Sequence, residues 1–299
     1  MRIDRRTLLG SALALAAGAC VPIERDRAGR FGALLRILES SANGTLGVGV
    51  LDTGTGRVWG HSDFARFPHL SSFKLSLAAL VLQLDATGEL DADERVTWTQ
   101  ADLLDYAPFA KERLAEGATL RELAEATQKI SDNTAANVLL ARLGGPERLT
   151  AFWRSLGDET SRLDRTEPAL NDVPPGEIMD TTTPAAMART LSELLYGDAL
   201  AEAARATLKL WMAETRTGAR RVRAGFPPEW PAGDKTGTSL WPGMGSVYVD
   251  VGYVEPPGRA PLTFAAYFRA ASQHTVADPD AEAVLAEVGR IIARYAAGE

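Results

Sequence analysis

The sequence predicts an α+β fold: one sheet of about five strands assembled from both chain ends, with an all-helical domain inserted between. Three observations point there. Strand-like segments cluster near the N-terminus (46–52, 57–61) and in the last third (234–240, 246–254, 262–270). The chain between them reads mostly as helices. One of these, from Ser71 to about Thr87, is apolar nearly all round (Leu75, Leu77, Ala78, Leu80, Val81, Leu84), and a helix without a polar face belongs in an interior.

In chain order, the first twenty residues read as an export signal. Arg2, Arg5 and Arg6 form a basic start, and Leu8 to Ala17 is apolar but too short to span a bilayer. Arg5-Arg6 followed by Thr7-Leu8-Leu9 has twin-arginine character. Ala17-Gly18-Ala19 suits cleavage, and Cys20 directly after it reads either as a lipid-bearing N-terminus or as the chance residue after a plain cleaved leader. Both place the mature protein outside the cytoplasm, in the periplasm. Phe31, Leu34, Leu35 and Leu38 recur at helical spacing, which predicts a helix over about 27–41. Leu46–Asp52 and Arg57–His61 flank Thr53-Gly54-Thr55-Gly56, a β-hairpin pattern. After the buried helix, Gly88 is a stop signal, and Thr183-Pro184 is an N-cap followed by a first helical residue. Residues 162–180 are rich in Pro, Asp and Gly without periodicity, and loops that long are usually functional or disordered. An amphipathic helix near 279–296 closes the chain. The expected division is therefore signal 1–20, an α/β domain from 21–65 and 222–299, and a helical domain over 66–221 that includes the loop.

The 299 residues are 45% hydrophobic and 24% charged, enough for a substantial core. A net charge of −7 without a clustered basic run argues against a nucleic-acid partner. The three histidines (His61, His69, His274) are scattered and the single cysteine lies in the leader, so no metal or other cofactor is expected and no disulfide can form within the chain.

Three short motifs carry chemistry. In Ser71-Ser72-Phe73-Lys74 the serine and lysine are three apart on a helix, hence on one face. The free N–H groups of a helix start favour negative charge developing at Ser71. A lysine entering an otherwise apolar helix needs a partner. Ser131-Asp132-Asn133 taken alone is an ordinary helix N-cap, and Asp234-Lys235-Thr236-Gly237-Thr238 taken alone is a strand end. In this order, however, S-x-x-K, S-D-N and K-T-G form the set associated with class A β-lactamases and penicillin-binding proteins.

The chain resembles class A serine β-lactamases over nearly its whole mature length. Thr127 to Leu140 (TQKISDNTAANVLL) is similar to a helix segment of that family, Leu163 to Asn171 (LDRTEPALN) to its Ω-loop, and Asp180 to Pro184 (DTTTP) to the helix start that follows. The resemblance implies a three-layer α/β/α arrangement with an antiparallel sheet and a site between sheet edge and helical domain. It implies Ser71 as nucleophile and Lys74 as the group keeping it reactive, with Lys74 and Glu167 acting through water as alternative bases for acylation. Glu167, aided by Asn171, would activate the hydrolytic water, and Ser131 would pass a proton to the leaving nitrogen. Asn133 would bind the substrate's side-chain amide, and Lys235 and Thr236 with Ser131 its carboxylate. The N–H groups of Ser71 and Thr238, beside Gly237, would form the oxyanion hole, and Tyr106 the flanking aromatic wall. Arg165 and Asp180 would clamp the loop's neck, and Glu167-Pro168 would be cis.

Two departures bear on substrates. Many members place an arginine on the strand after K-T-G, but Ser246–Val254 has none, and Arg221 matches the alternative arginine of other members as carboxylate anchor. Leu70 and Ser239 occupy positions that form a disulfide in many carbapenem-hydrolysing members, so that bridge is absent here. The expected protein is thus a monomer acting on small-molecule β-lactams, touching membrane only through a lipid on Cys20. The rivals are a penicillin-binding carboxypeptidase or transpeptidase, which lacks the loop glutamate, and a non-catalytic β-lactam- or peptidoglycan-sensing lipoprotein.

Overall fold

The computed structural model describes residues 28–298, so the expected export signal and Cys20 lie outside the described residues. Helix α1 spans residues 28–41 and leads into the hairpin β1 (Gly44–Asp52) and β2 (Val58–His61). Then follow β3 (Phe67–Pro68), a 3₁₀ turn at Leu70–Ser72, α2 (Phe73–Thr87), β4 (Arg95–Val96), α3 (Pro108–Glu112), β5 (Ala118–Thr119), α4 (Leu120–Lys129), α5 (Asn133–Leu143) and α6 (Pro146–Ser155). The Ω-loop contains one 3₁₀ turn, Ala169–Asn171, and is followed by β6 (Thr181–Thr182), α7 (Pro184–Tyr196) and α8 (Glu202–Ala213). The chain ends with β7 (Ala232–Ser239), β8 (Val247–Val254), β9 (Leu262–Ala270) and α9 (Pro279–Ala297).

The main sheet has five strands in the order β2-β1-β9-β8-β7, every neighbouring pair antiparallel. Strand alternation splits its side chains between two cores. Leu46, Val48, Val50, Phe264 and Phe268 face Leu35 of α1 and Leu285, Val288 and Ile292 of α9. Val249, Val251 and Tyr267 join a second core with Leu77 and Leu80 of α2 and Met187 and Leu191 of α7. Gly47 and Gly49 are the small members of β1's alternation. A Cβ at Gly49 would lie 2.6 Å from the Pro184 carbonyl carbon, so α7 seats directly on the strand. Thr263 Oγ1 also donates to the Ala188 carbonyl at 2.7 Å. Thus α7, within the stretch assigned by sequence to the helical domain, packs on the sheet, because Gly49 leaves room for its first turn, while Gly47 makes room for the Phe67 ring.

The helix signals are met at the atomic level. Thr183 Oγ1 accepts from Ala186 N with Pro184 in the first turn, and Thr119 and Glu122 form a reciprocal capping box on α4. Gly88 ends α2 at φ 76°, a left-handed C-cap that costs glycine little. One boundary moved. The expected helix from Ser71 begins at Phe73, and Ser71 itself lies in the tighter 3₁₀ turn.

His69 is wholly buried and stacks on Trp153 at 4.6 Å between centroids. Burial pushes its pKa from the ordinary 6.5 down to about 3, against the opposing influence of Asp158. The unfolded chain therefore takes up a proton below about pH 6.5 that the native state refuses, and stability is lost as pH falls from there toward 3. Between pH 7 and 4.5 the wild type should lose about 2–3 kcal/mol more stability than His69→Phe, which keeps the stacked ring and does not titrate. Urea unfolding at both pH values checks this; parallel losses in the two proteins would refute it.

Candidate active site

The site lies where β7, the start of α2, the α4–α5 junction and the Ω-loop converge. Ser71, Tyr106, Ser131, Asn133, Glu167, Asn171, Arg221 and Thr236 to Thr238 line one cleft of about 720 Å³. Lys74 and Lys235 lie beneath it, fully buried.

The backbone near these residues is strained. Leu70 (φ 48°), Ser131 (φ 63°) and Asp180 (φ 57°) are non-glycine residues in the left-handed region, a conformation that persists only where surroundings over-determine it. Leu70 precedes Ser71 and is pinned by β7: a Cβ on Gly237 would stand 2.8 Å from Leu70 Cβ and 3.0 Å from Ser71 N. Only glycine lets the strand edge come this close to the Ser71 amide.

Lys74 is the hub. Its Nζ donates to Ser71 Oγ at 2.9 Å and to the Ser131 carbonyl at 3.1 Å, and also bonds Asn133 Oδ1. It pairs with Glu167 Oε1 at 2.9 Å, both side chains being buried. Ser71 Oγ lies 3.5 Å from the same carboxylate oxygen, and the other oxygen, Oε2, accepts from Asn171 Nδ2 at 2.6 Å. Ser131 Oγ sits between two cations, 3.0 Å from Lys235 Nζ and 3.5 Å from Lys74 Nζ. Burial, and next the neighbouring Lys74, hold the Lys235 pKa well below the usual lysine range. Asp234 beside it is raised to about 6 by burial, with Arg223, 3.0 Å away, opposing.

The S-D-N segment serves as cap and as site at once. Asp132 Oδ1 accepts from Ala135 N as the N-cap of α5, and Oδ2 accepts from Phe109 N and Ala110 N. That bonding fixes the turn that aims Ser131 and Asn133 into the cleft. Tyr106 is half exposed on the rim, and its carbonyl accepts from Asn133 N at 3.0 Å.

At the loop's neck Asp180 is wholly buried. Its Oδ1 accepts from Asp164 N and Arg165 N, and its Oδ2 pairs with Arg165 Nε at 2.5 Å. This is a hydrogen-bonded buried carboxylate rather than a surface pair, and the Glu167-Pro168 peptide is cis.

Arg221 is brought to the cleft but is largely occupied. Its Nη1 donates to the carbonyls of Gly237 and Val249, its Nη2 to Thr238 Oγ1 at 2.6 Å, and its Nε to Glu282 Oε1 at 3.2 Å. The expected carboxylate anchor therefore acts in part as a brace for β7 and presents itself to the cleft beside the Thr238 hydroxyl. Sequence reasoning missed several contributors. Asn137 clamps Glu167 at both its backbone N and O, at 3.0 and 2.9 Å. The available signal was an asparagine inside a helix one turn after Asn133, where that residue type is out of place. Thr217 accepts from Thr236 Oγ1 at 2.6 Å, and neither it nor Glu282 had a distinguishing sequence signal.

Comparison with known proteins decides the family. The β-lactamase enzyme family matches residues 31–296. The chain belongs to the class A β-lactamases. It is 43% identical over 305 aligned positions to β-lactamase AST-1 of Nocardia asteroides, covering 97% of this chain and 96% of that protein. It is 42% identical to β-lactamase CTX-M-97 of Escherichia coli, over 85% of this chain and 86% of the relative. Among solved structures, an ancestral class A β-lactamase superposes with a TM-score of 0.83 at 47% identity, covering 88% of this chain and 98% of its own. This β-lactamase shares with them the five-stranded antiparallel sheet and flanking helices.

Proposed function

We propose that the chain hydrolyses the β-lactam ring of penicillins and cephalosporins, and so confers antibiotic resistance, through an acyl-enzyme on Ser71. The observation that carries this reading is the position of Glu167. Its carboxylate reaches Ser71 Oγ and Lys74 Nζ with one oxygen and is held by Asn171 with the other. A base so placed can deprotonate a water at the ester that the serine forms.

The other roles follow from the contacts. Ser71 Oγ attacks the lactam carbonyl, and the amides of Ser71 and Thr238 receive the oxyanion. Both cations donate to Ser131 Oγ, so its own proton is free to point into the cleft, toward the departing nitrogen. The field of Lys235, with the Thr236 and Thr238 hydroxyls and Arg221, draws the substrate carboxylate. Asn133 meets the side-chain amide and Tyr106 flanks it.

Mixing with excess chromogenic cephalosporin tests the function. Continued turnover is expected, whereas one equivalent of colour and no more would make the protein a penicillin-binding protein or a sensor. Export to the periplasm is supported by the basic and apolar leader residues, with Cys20 either the lipid-bearing N-terminus or the residue after a plain cleaved leader; among the described residues no helix is long and apolar enough to cross a membrane.

A further inference from the structure

Three consecutive Ω-loop carbonyls are each taken by a donor from a different part of the chain. The Asn171 carbonyl accepts from Ser239 Oγ of β7 at 3.0 Å, the Asp172 carbonyl from Arg165 Nη2 at 2.9 Å, and the Val173 carbonyl from Arg269 Nη2 of β9 at 3.1 Å. Arg165 is the loop's own neck and Ser239 its nearest strand edge. Arg269 is different, because it reaches up from an interior strand, where it is paired with Val247 on one side and Thr45 on the other.

A partly buried guanidinium is expensive without a counter-ion. Burial lowers the Arg269 pKa, with no carboxylate among the described residues opposing it. What it does have is the Val173 carbonyl and, 3.7 Å from Nη1, Met244 Sδ in the loop that joins β7 to β8. A hydrogen bond from an ionised donor is stronger than a neutral one. The carbonyl it takes lies two residues beyond Asn171, whose amide holds the Glu167 carboxylate.

We propose that Arg269 is a positioning residue for deacylation: by fixing the Val173 carbonyl it holds the Ala169–Asn171 turn, and with it Asn171, against Glu167. The inference rests on the reading of Glu167 given above. It predicts an effect on one chemical step, because a base or water displaced by an ångström can cost up to ~10²-fold.

The test separates the two steps in the full-length enzyme. Arg269→Met keeps an unbranched stem and removes the donors, and Arg269→Gln serves if that variant folds poorly. After mixing with a benzylpenicillin pulse, intact-protein mass spectrometry follows the adduct on Ser71. Its lifetime should lengthen about 10-fold in Arg269→Met while adduct formation changes less than about 2-fold, and Arg269→Lys should recover most of the loss. Lifetime per acylated molecule does not depend on how much protein is folded, so a merely structural role would leave it unmoved. Wild-type clearance in Arg269→Met, or a slowdown that Arg269→Lys does not relieve, overturns the proposal. Glu167→Ala run alongside distinguishes the failures. If Glu167→Ala traps the adduct and Arg269→Met does not, only the Arg269 inference falls; if neither traps it, the Glu167 reading falls as well.

Discussion

Glu167→Ala should convert a turning-over enzyme into one that stops as a stable adduct on Ser71. Hydrolysis of an acyl-enzyme requires water attack only in the second half of the cycle. Among the described residues Glu167 is the carboxylate within reach of Ser71 Oγ, and two amides, from Asn171 and Asn137, hold its side chain and its backbone. A general base contributes about 10²–10⁴-fold, or about 3–5 kcal/mol of barrier, and that loss should fall on deacylation. Mass spectrometry after a penicillin pulse should show the added mass persisting long after wild type has cleared it. Wild-type turnover without an adduct would remove Glu167 from the mechanism.

Lys74→Met should fail earlier, before any adduct forms. The ammonium is the shared donor of Ser71, Glu167, Ser131 and Asn133, in a fully buried position. Removing it leaves Ser71 Oγ without its lysine donor and the buried Glu167 carboxylate without its partner. The rate of acylation should fall by about 10²–10⁴-fold. Breaking a buried pair by deleting one partner typically costs about 3–5 kcal/mol. Stopped-flow acylation and urea unfolding measure the two effects separately. The pair of variants also settles which base serves acylation: near-normal adduct formation in Glu167→Ala with none in Lys74→Met assigns it to Lys74. Normal acylation in Lys74→Met would show that the lysine is only structural.

Much of this site was legible because its chemistry is local in sequence. Ser71 and Lys74 are three apart, which puts them on one helical face whatever else the chain does. Lys235, Thr236 and Thr238 share one strand, and Thr183-Pro184 announces its helix through capping alone. The alternation of β1, β8 and β9 and the apolar surface of α2 follow from periodicity, and they imply a sheet built from both chain ends. The class A resemblance then tied the motifs to one another across the chain.

The rest depends on contacts between residues far apart in sequence, for which no spacing rule exists. Asn137 meets the Glu167 backbone across 30 positions and Arg269 meets Val173 across 96. Arg221 reads in sequence as a free cation for a substrate, yet the fold surrounds it with Gly237, Val249, Thr238 and Glu282. His69 reads as a stray histidine until Trp153 covers it and burial keeps it neutral. The seat of α7 on the sheet follows from Gly49, whose purpose appears only when Pro184 arrives over it. The sequence by itself determined the elements, the family and the chemical groups, because periodicity, capping and short motifs act over a few residues. The tertiary structure alone decided which donors are already spent and which charges are paired, because burial and long-range contacts set the cost of leaving any one of them unmet.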